Sequence, residues 1–463
     1  MANSTVKGML TLDELKDKVA GGEVETILTV FPDMYGRLVG KRITGDFFLE
    51  HTAGHGMHAC DYLLTVDMEM DVIDGYKFAN WESGYGDFHC VPDFNTLRLV
   101  TWLDKSALVV CDLETEPGRR PVEEAPRTIL KRQIERLAGS GYSAKGASEI
   151  EYFIFKETYD SARQKNFEDL QTFGWYIEDY HMLQGTKEED LNGAVRRHMD
   201  RSGIPVEFSK GEWGPGQHEL NLRYADVLEM ADRHVIYKHG FKEIALAQGL
   251  AVTFMAKWRT DLAGSSMHLH LSLWDRGGGR NVFPGEHKLG PVSASDEFRW
   301  FLGGWMAHAR EIAPFYAPYP NSYKRYVSQS WAPTNIAWSY DNRTAGFRVV
   351  GSGSSLRIEC RIPGADCNPY LAYAATIAAG LDGIKNQIEP PDIFQGDVYA
   401  AANLPKVPHT LRDATDALEG SAMLREAFGE RVVEHYVHFF RTEQRKYDEA
   451  VTTWERERYF ERA

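Results

Sequence analysis

Glu149-Ile150-Glu151-Tyr152-Phe153-Ile154-Phe155 reads as a β-strand, with two carboxylates at the head of an apolar run. Successive side chains of a strand leave on opposite sides, so Glu149 and Glu151 share one face. Three further stretches repeat the pattern. Gln217, Glu219, Asn221 and Arg223 alternate with Leu220 and Leu222, and His268, His270 and Ser272 with Met267, Leu269, Leu271 and Leu273. Arg357, Glu359 and Arg361 alternate with Leu356, Ile358, Cys360 and Ile362. Taken singly, each is an ordinary amphipathic strand with one wet face. Wet faces are usually filled with Thr, Ser, Lys and mixed charge, whereas these are rich in Glu, His and Arg. Four strands with that bias predict one sheet face furnished for cations and anions together.

The surrounding chain bounds what such a face can serve. With 463 residues it can hold about three average domains and bury a large core. Hydrophobic residues at 43% and charged residues at 26% exclude a disordered chain. The longest apolar run, Ile244 to Ala256, is interrupted by Gln248 and is too short to cross a bilayer. Met1 to Gly8 has no apolar export core. Cys60, Cys90, Cys111, Cys360 and Cys367 are scattered and odd in number, which argues against a disulfide framework and against a thiolate metal site. A cytoplasmic protein is expected. A net charge of −15 repels nucleic acid and anionic membranes, so neither is an expected partner.

Turn and cap signals divide the chain in two. A helix from Thr11 to Val19, with Thr11 and Glu14 at capping-box spacing, precedes strands near Thr26 to Phe31 and Arg37 to Ile43. A Gly- and His-rich stretch, His51 to His58, follows, then strands near Leu97 to Leu103 and Ala107 to Leu113. These make a small mixed domain over 1–113, closed by a Pro- and Glu-rich linker from Glu114 to Pro126. Over 114–463 strands alternate with long helices: Arg127 to Leu137, Asp226 to Gln248, a Ser295-capped helix to Glu311, and one opened by Asn368-Pro369 and running to about Ile388. After Thr410 the chain reads as almost wholly helical.

Glu149, Glu151, Glu212, Glu219, His268 and Glu359 offer five carboxylates and one imidazole. That set suits Mg²⁺ or Mn²⁺ better than a closed zinc site, and carboxylates so clustered call for more than one divalent ion. Arg325, Arg343, Arg348, Arg357 and Arg361 flank the same surface with forks that match carboxylate and phosphate oxygens. Metals beside arginines suggest phosphoryl transfer, which depends on positioning and charge neutralisation. No GxxxxGK[ST] loop is present, so nucleotide binding of the P-loop kind is excluded.

Over nearly its whole length the chain resembles the glutamine synthetase family. The resemblance rests on motifs in order: Pro92-Asp93-Phe94-Asn95-Thr96-Leu97-Arg98, Glu149-Ile-Glu151, Glu212-Trp-Gly-Pro-Gly-Gln-His-Glu219, Ser266-Met-His268-Leu-His270-Leu-Ser272, Asn321-Ser-Tyr-Lys-Arg325, Asn342-Arg343 and Arg357-Ile-Glu359-Cys-Arg361. It implies an α+β chain, an N-terminal β-grasp domain followed by a catalytic α/β domain with an antiparallel active-site sheet. It also implies a dodecamer of two stacked hexameric rings, with sites between neighbouring subunits. By the same resemblance Glu151, Glu212 and Glu219 hold one metal, and Glu149, His268 and Glu359 hold the one that bridges the phosphates of ATP. Two or three Mg²⁺ or Mn²⁺ ions per site are implied. Gly264, Arg325, Arg343 and Arg361 fall where the family holds L-glutamate, and Glu207, Tyr224, His270, Ser272, Arg348 and Arg357 where it holds ATP. Arg343, Arg348 and Glu359 are the implied catalytic residues. The implied reaction phosphorylates the glutamate side chain, and an amine then displaces phosphate.

Departures from the family pattern concern the amine. Ammonia-using members carry a Phe-Asp-Gly-Ser-Ser stretch, and the His51 to Asp61 region of this chain has no such motif. Six residues past Arg325, where those members have a Glu that closes over glutamate, stands Trp331. An indole face favours an alkylammonium over small, strongly hydrated ammonium, although an aromatic here could also simply pack the loop before Ala332-Pro333. The pattern, with Gly364 to Leu371, is similar to the branch that makes γ-glutamylpolyamines and γ-glutamyl monoamides such as those of ethanolamine or methylamine. His51, His55, His58, Asp61 and Glu82 are candidates for the group that takes the amine proton. Pro405 stands where some ammonia-using relatives have an adenylylated tyrosine, so that regulation is not expected. The alternatives are an ammonia-using glutamine synthetase and a non-catalytic structural relative, the latter having no need of six competent ligands.

Overall fold

A computed structural model describes residues 6–463. The N-terminal unit begins with the expected capping box. Thr11 accepts from the Glu14 N–H at 3.2 Å while the Glu14 carboxylate accepts from the Thr11 N–H at 2.7 Å, which starts the helix Leu12–Ala20. Leu15 of that helix packs on Val24, Ile27, Phe48, Leu97 and Val109. The sheet beneath runs Leu38–Thr44, Thr26–Pro32, Ser106–Thr115, Asp87–Leu99, Met57–Cys60. Thr26–Pro32 lies parallel to Ser106–Thr115, and the other pairings are antiparallel.

Two elements differ from the sequence expectation. The strand expected near Leu97 to Leu103 instead spans Asp87–Leu99, because the chain turns after Val100, whose N–H donates to Ser106 O at 2.9 Å. Glu114 and Thr115, read as linker, pair with His89 and Phe88 and complete the next strand. The His51 to His58 stretch forms tight helical turns and then the edge strand Met57–Cys60. Gly56 makes the transition at φ 70°, where a Cβ would lie 2.3 Å from the His89 ring.

The second unit is built on a nine-stranded sheet. Its main path runs Trp338–Tyr340, Phe347–Val350, Arg357–Cys360, Met267–Asp275, Tyr142–Phe155, Gln217–Leu222, Val206–Gly211, with two short strands added beside Tyr142–Phe155. The four recognised strands pair antiparallel, as expected, and among the described residues only Trp338–Tyr340 with Phe347–Val350, at the sheet's edge, is a parallel pair. Those two strands are joined by a turn at Asp341 to Ala345 that returns the chain in the same direction, too short a pattern to read from sequence.

The apolar residues of the four recognised strands go where alternation sends them. Ile150, Tyr152, Ile154, Leu220, Leu222, Leu269, Leu271 and Ile358 are buried in one core with the helices Pro126–Gly139, Val227–Ala247 and Pro369–Asn386. Asn368 caps the last of these by accepting from the Tyr370 N–H at 3.1 Å, with Pro369 in the first turn. Beyond Thr410 the chain is helical, as expected. Its longest helix there, Glu430–Glu449, lies against the N-terminal unit, with the Tyr35 hydroxyl on Glu443 at 2.8 Å and His438 Nε2 2.8 Å from Asp74 O.

Candidate active site

Strand register turns alternation into geometry. Glu149 stands opposite His268 on one side and Asn221 on the other, Glu151 opposite Glu219, and Glu359 opposite both His270 and Arg348. Such cross-strand partners have Cβ atoms about 5 Å apart, close enough for their polar ends to meet. Glu151, Glu212 and Glu219 each bring a carboxylate oxygen within 4.8 Å of the others, as the sequence reading grouped them. Glu149 and His268 make a second such set, also within 4.8 Å, with Glu219 as its third member. Glu359, grouped with Glu149 and His268 from sequence, reaches to 3.8 Å from His268 Nδ1. Its oxygens are meanwhile held by Arg361 at 2.5 Å and Arg348 at 2.7 Å.

The electrostatics of this face ask for cations. Burial and the charge of Glu212 push Glu151 up to about 7, and burial with Glu149 and Glu212 carries Glu219 well above the usual carboxylate range. Burial would raise Glu149 as well, but the bonds to His268 at 2.8 Å and His270 at 3.3 Å hold it well below that range. Glu359 is brought down to about 2, the pull of His270, Arg361 and His268 outweighing burial. Burial and then Arg361 depress His268 against the opposing pull of Glu149, which favours the neutral imidazole that a metal needs. The candidate ligands are also oriented: Ser266 Oγ lies 2.9 Å from His268 Nε2, the Ser266 N–H donates to Glu151 at 2.7 Å, and Asn221 donates to Glu219 at 2.7 Å. Oxygen-rich and crowded, these sets fit hard divalent cations.

Two adjoining hollows divide the remaining candidates. The first, of 460 Å³, is lined by all six ligand candidates together with Gly264, Arg325, Trp331, Arg343, Arg348 and Arg361. Gly264 permits the buried Arg325 to pass, since a Cβ there would lie 2.4 Å from Arg325 Cγ. Glu207, Tyr224 and Ser272 line the second, of 490 Å³. Glu149, His270 and Arg357 border both, so a long anionic ligand crossing between the hollows meets a guanidinium and the edge of the metal sets.

Among the residues of the first hollow that sequence reasoning missed are Asp179, Tyr180, Lys210 and Trp213. Lys210 pairs with Glu212 and lies 3.7 Å from Asp179. Trp213 meets Trp331 edge to face at 5.7 Å, so Trp331 walls the hollow and does not pack into the core. Its position directly after Glu212 was the available signal for Trp213. Asp179 and Tyr180 sit in a loop without periodicity and gave none. The five candidates for the amine's base are not brought to the site: His51, His55, His58, Asp61 and Glu82 all belong to the N-terminal unit, and none lines either hollow. His58 instead lies 3.4 Å from Glu116.

Comparison with known proteins agrees with this geometry. Residues 123–459 match the family model described as glutamine synthetase, catalytic domain. The chain is 45% identical to gamma-glutamylethanolamide synthetase GlnA4 of Streptomyces coelicolor, over 98% of this chain and 96% of that one. It is 36% identical to a glutamate–isopropylamine ligase of Pseudomonas sp, over 97% of each. With a glutamine synthetase of Thermotoga maritima the identity is 32%, over 97% and 99%. Among solved structures it superposes on the one titled GmaS/ADP complex with a TM-score of 0.84 and 29% identity, over 96% of this chain and 99% of that one.

Proposed function

The chain belongs to the glutamine synthetase family and is an ATP-dependent glutamate–amine ligase, and we propose that its acceptor is a small primary monoamine of ethanolamine's class, ahead of ammonium. The observation that carries this reading is the Trp213–Trp331 pair in the wall of the hollow lined by the candidate ligands. Two indoles offer π faces to an alkylammonium and apolar surface to its stem, whereas ammonium needs carboxylates. A polyamine would place a second charge beyond that wall.

In this reaction a γ-carboxylate oxygen of glutamate attacks the γ-phosphorus of ATP and ADP leaves. The amine nitrogen then attacks the acyl carbon, phosphate leaves, and the amine gives up a proton. Divalent cations, when bound, neutralise phosphate charge and fix the triphosphate oxygens. In this reading Glu151, Glu212 and Glu219 hold one cation and Glu149, His268 and Glu359 another. Gly264, Arg325, Arg343 and Arg361 hold glutamate. Glu207, Tyr224, His270, Ser272, Arg348 and Arg357 hold ATP, with Arg343, Arg348 and Glu359 positioned to act on the transferring phosphoryl group.

The N-terminal unit, 1–113, is read as a β-grasp domain and 114–463 as the catalytic domain. The assembly is read as a dodecamer of two hexameric rings, in which a neighbour's N-terminal domain completes each site. Phe460 is 92% exposed and Val451 71% on the last segment, apolar surface that a single chain leaves uncovered. Asp61 is the favoured base, because burial, with Asp87 adding to it, raises its carboxyl to about 6, near the pH at which a proton acceptor works best. A cytoplasmic location fits the free cysteines, four of them buried. Among the described residues no helix is long and apolar enough to cross a membrane.

Phosphate release with glutamate plus ethanolamine, methylamine, isopropylamine, putrescine or ammonium tests the acceptor. A kcat/KM for ethanolamine at least about tenfold above that for ammonium is expected. Ammonium serving as well as the best amine would remove the basis for the assignment.

A further inference from the structure

A second group of potential ligands lies behind the active-site face. His218 precedes Glu219 on the same strand and therefore points the opposite way, into the protein, where it meets Glu178 and Glu188. Its Nε2 is 2.8 Å from Glu178 Oε2 and in contact with Glu188 Oε2. All three residues are 2% exposed or less.

The outer atoms of this trio are anchored and the inner ones are not. Glu178 Oε1 accepts from the Gly216 N–H at 2.8 Å and from Gln184 at 3.2 Å, and Glu188 Oε1 faces the same amide at 3.5 Å. His218 Nδ1 lies 3.3 Å from Asn192, which is fixed in turn by the Tyr152 hydroxyl at 2.9 Å. Glu178 Oε2, Glu188 Oε2 and His218 Nε2 are turned toward one another, and none of them has a hydrogen-bond partner outside the trio. Among the described residues no Lys or Arg pairs with either carboxylate. Burial and the Glu178 charge accordingly push Glu188 up to about 8.

We propose that Glu178, Glu188 and His218 bind one divalent transition-metal cation, of the Mn²⁺ or Zn²⁺ class, distinct from the cations of the active-site hollow. The three inward atoms lie within 4.8 Å of one another, a span that one ion about 2.1 Å from each can bridge. Two carboxylates and an imidazole supply the charge and the mixed oxygen and nitrogen donors that such ions take. The anchored outer atoms are what orients ligands around a bound ion. With the ion on Nε2 the ring proton sits on Nδ1, and Asn192 turned end for end accepts it while donating to Tyr152. The ion's place in the fold gives it a task. Glu178 leads directly into Asp179 and Tyr180 of the hollow, and His218 into Glu219, so one cation ties the loop to the metal-bearing strand.

The test uses the full-length enzyme, dialysed against EDTA and then analysed for metals by mass spectrometry. Ions of the open hollow are removed, and about one sealed Mn²⁺ or Zn²⁺ per chain is expected to remain. Glu188→Gln keeps the shape of the side chain but not its charge. It is expected to lower the retained metal at least about tenfold and the unfolding midpoint by about 5 °C, while Glu212→Gln in the hollow leaves the retained metal unchanged. An amide mimics a protonated carboxyl, so a trio held together only by a shared proton would accept Gln with an unchanged midpoint. Wild-type enzyme that retains under about a tenth of an ion per chain overturns the proposal, as does Glu188→Gln enzyme that retains as much as wild type. If the variant does not fold, anomalous diffraction of wild-type crystals at the metal edge decides: a peak among the three residues supports the site, and peaks only in the hollow overturn it.

Discussion

Trp331 and Trp213 are 44% and 43% exposed, a large apolar pair left in water in the wall of a charged hollow. Such exposure costs free energy that bound substrate can recover, and a desolvated cation on an indole face contributes about 1–2 kcal/mol. Trp331→Ala is therefore expected to raise the KM for ethanolamine about five- to thirtyfold while the KM for glutamate changes less than about twofold. Steady-state kinetics with each substrate varied in turn separates the two. An equal rise in both would mean that the indole shapes the glutamate loop and does not receive the amine. The residues of the metal sets are legible in the sequence because strand alternation fixes a face and needs no knowledge of the partner strand. Asp179 and Tyr180 are not, since a loop residue reaches the hollow only through tertiary anchors, here the Glu178 contacts with Gly216 and His218.

Elements are legible to the degree that their own pattern carries them. The helices opened by Thr11 and by Asn368-Pro369 begin where their caps predict, because a cap is a local bond. Asp87–Leu99 is only half legible: Asp87, His89, Pro92 and Asp93 mask it, and its ladder is supplied by Ser106–Thr115 and Met57–Cys60. Also beyond sequence reading is the docking of the helix Glu430–Glu449 across both units, and it has a consequence for stability. His435 on that helix is buried with its ring 4.7 Å from Tyr76 and its Nε2 3.0 Å from Met34 Sδ. Arg431 and His438 lie on its own helix, Tyr76 and Phe78 pack from the facing segment, and among the described residues no carboxylate is paired with it. Burial first, then His438 and Arg431, depress the imidazole from 6.5 to about 3. The folded state therefore requires the neutral ring, while the unfolded chain takes up a proton below about 6.5. The stabilisation is complete above that pH and is lost as pH falls toward about 3, at up to about 1.4 kcal/mol per pH unit. Urea unfolding at pH 7.5 and pH 5.5 is expected to show the loss, and His435→Phe to flatten it by that amount per unit. A variant with the wild-type pH slope would place the acid sensitivity elsewhere.

A single chain presents a hollow with candidate ligands, arginines and an aromatic wall, but every group proposed to take the amine proton lies on the N-terminal unit and none of them lines that hollow. Either another residue of the same chain does that work, or a second chain brings its N-terminal unit to the mouth. The family reading favours the second, and the two make opposite predictions for mixed assemblies. Glu359→Ala removes a carboxylate that Arg348 and Arg361 hold at 2.7 and 2.5 Å inside the hollow, and Asp61→Asn removes the proposed base while keeping its shape. Each variant alone is expected to be nearly inactive. Co-expressed in equal amounts, they place an intact hollow beside a neighbour's intact Asp61 at about a quarter of interfaces, so about a quarter of wild-type activity should return. Differently tagged chains, purified through both tags in succession, restrict the assay to mixed assemblies. If those show no more activity than the two parents, each site is completed by its own chain and Asp61 is not shared between subunits.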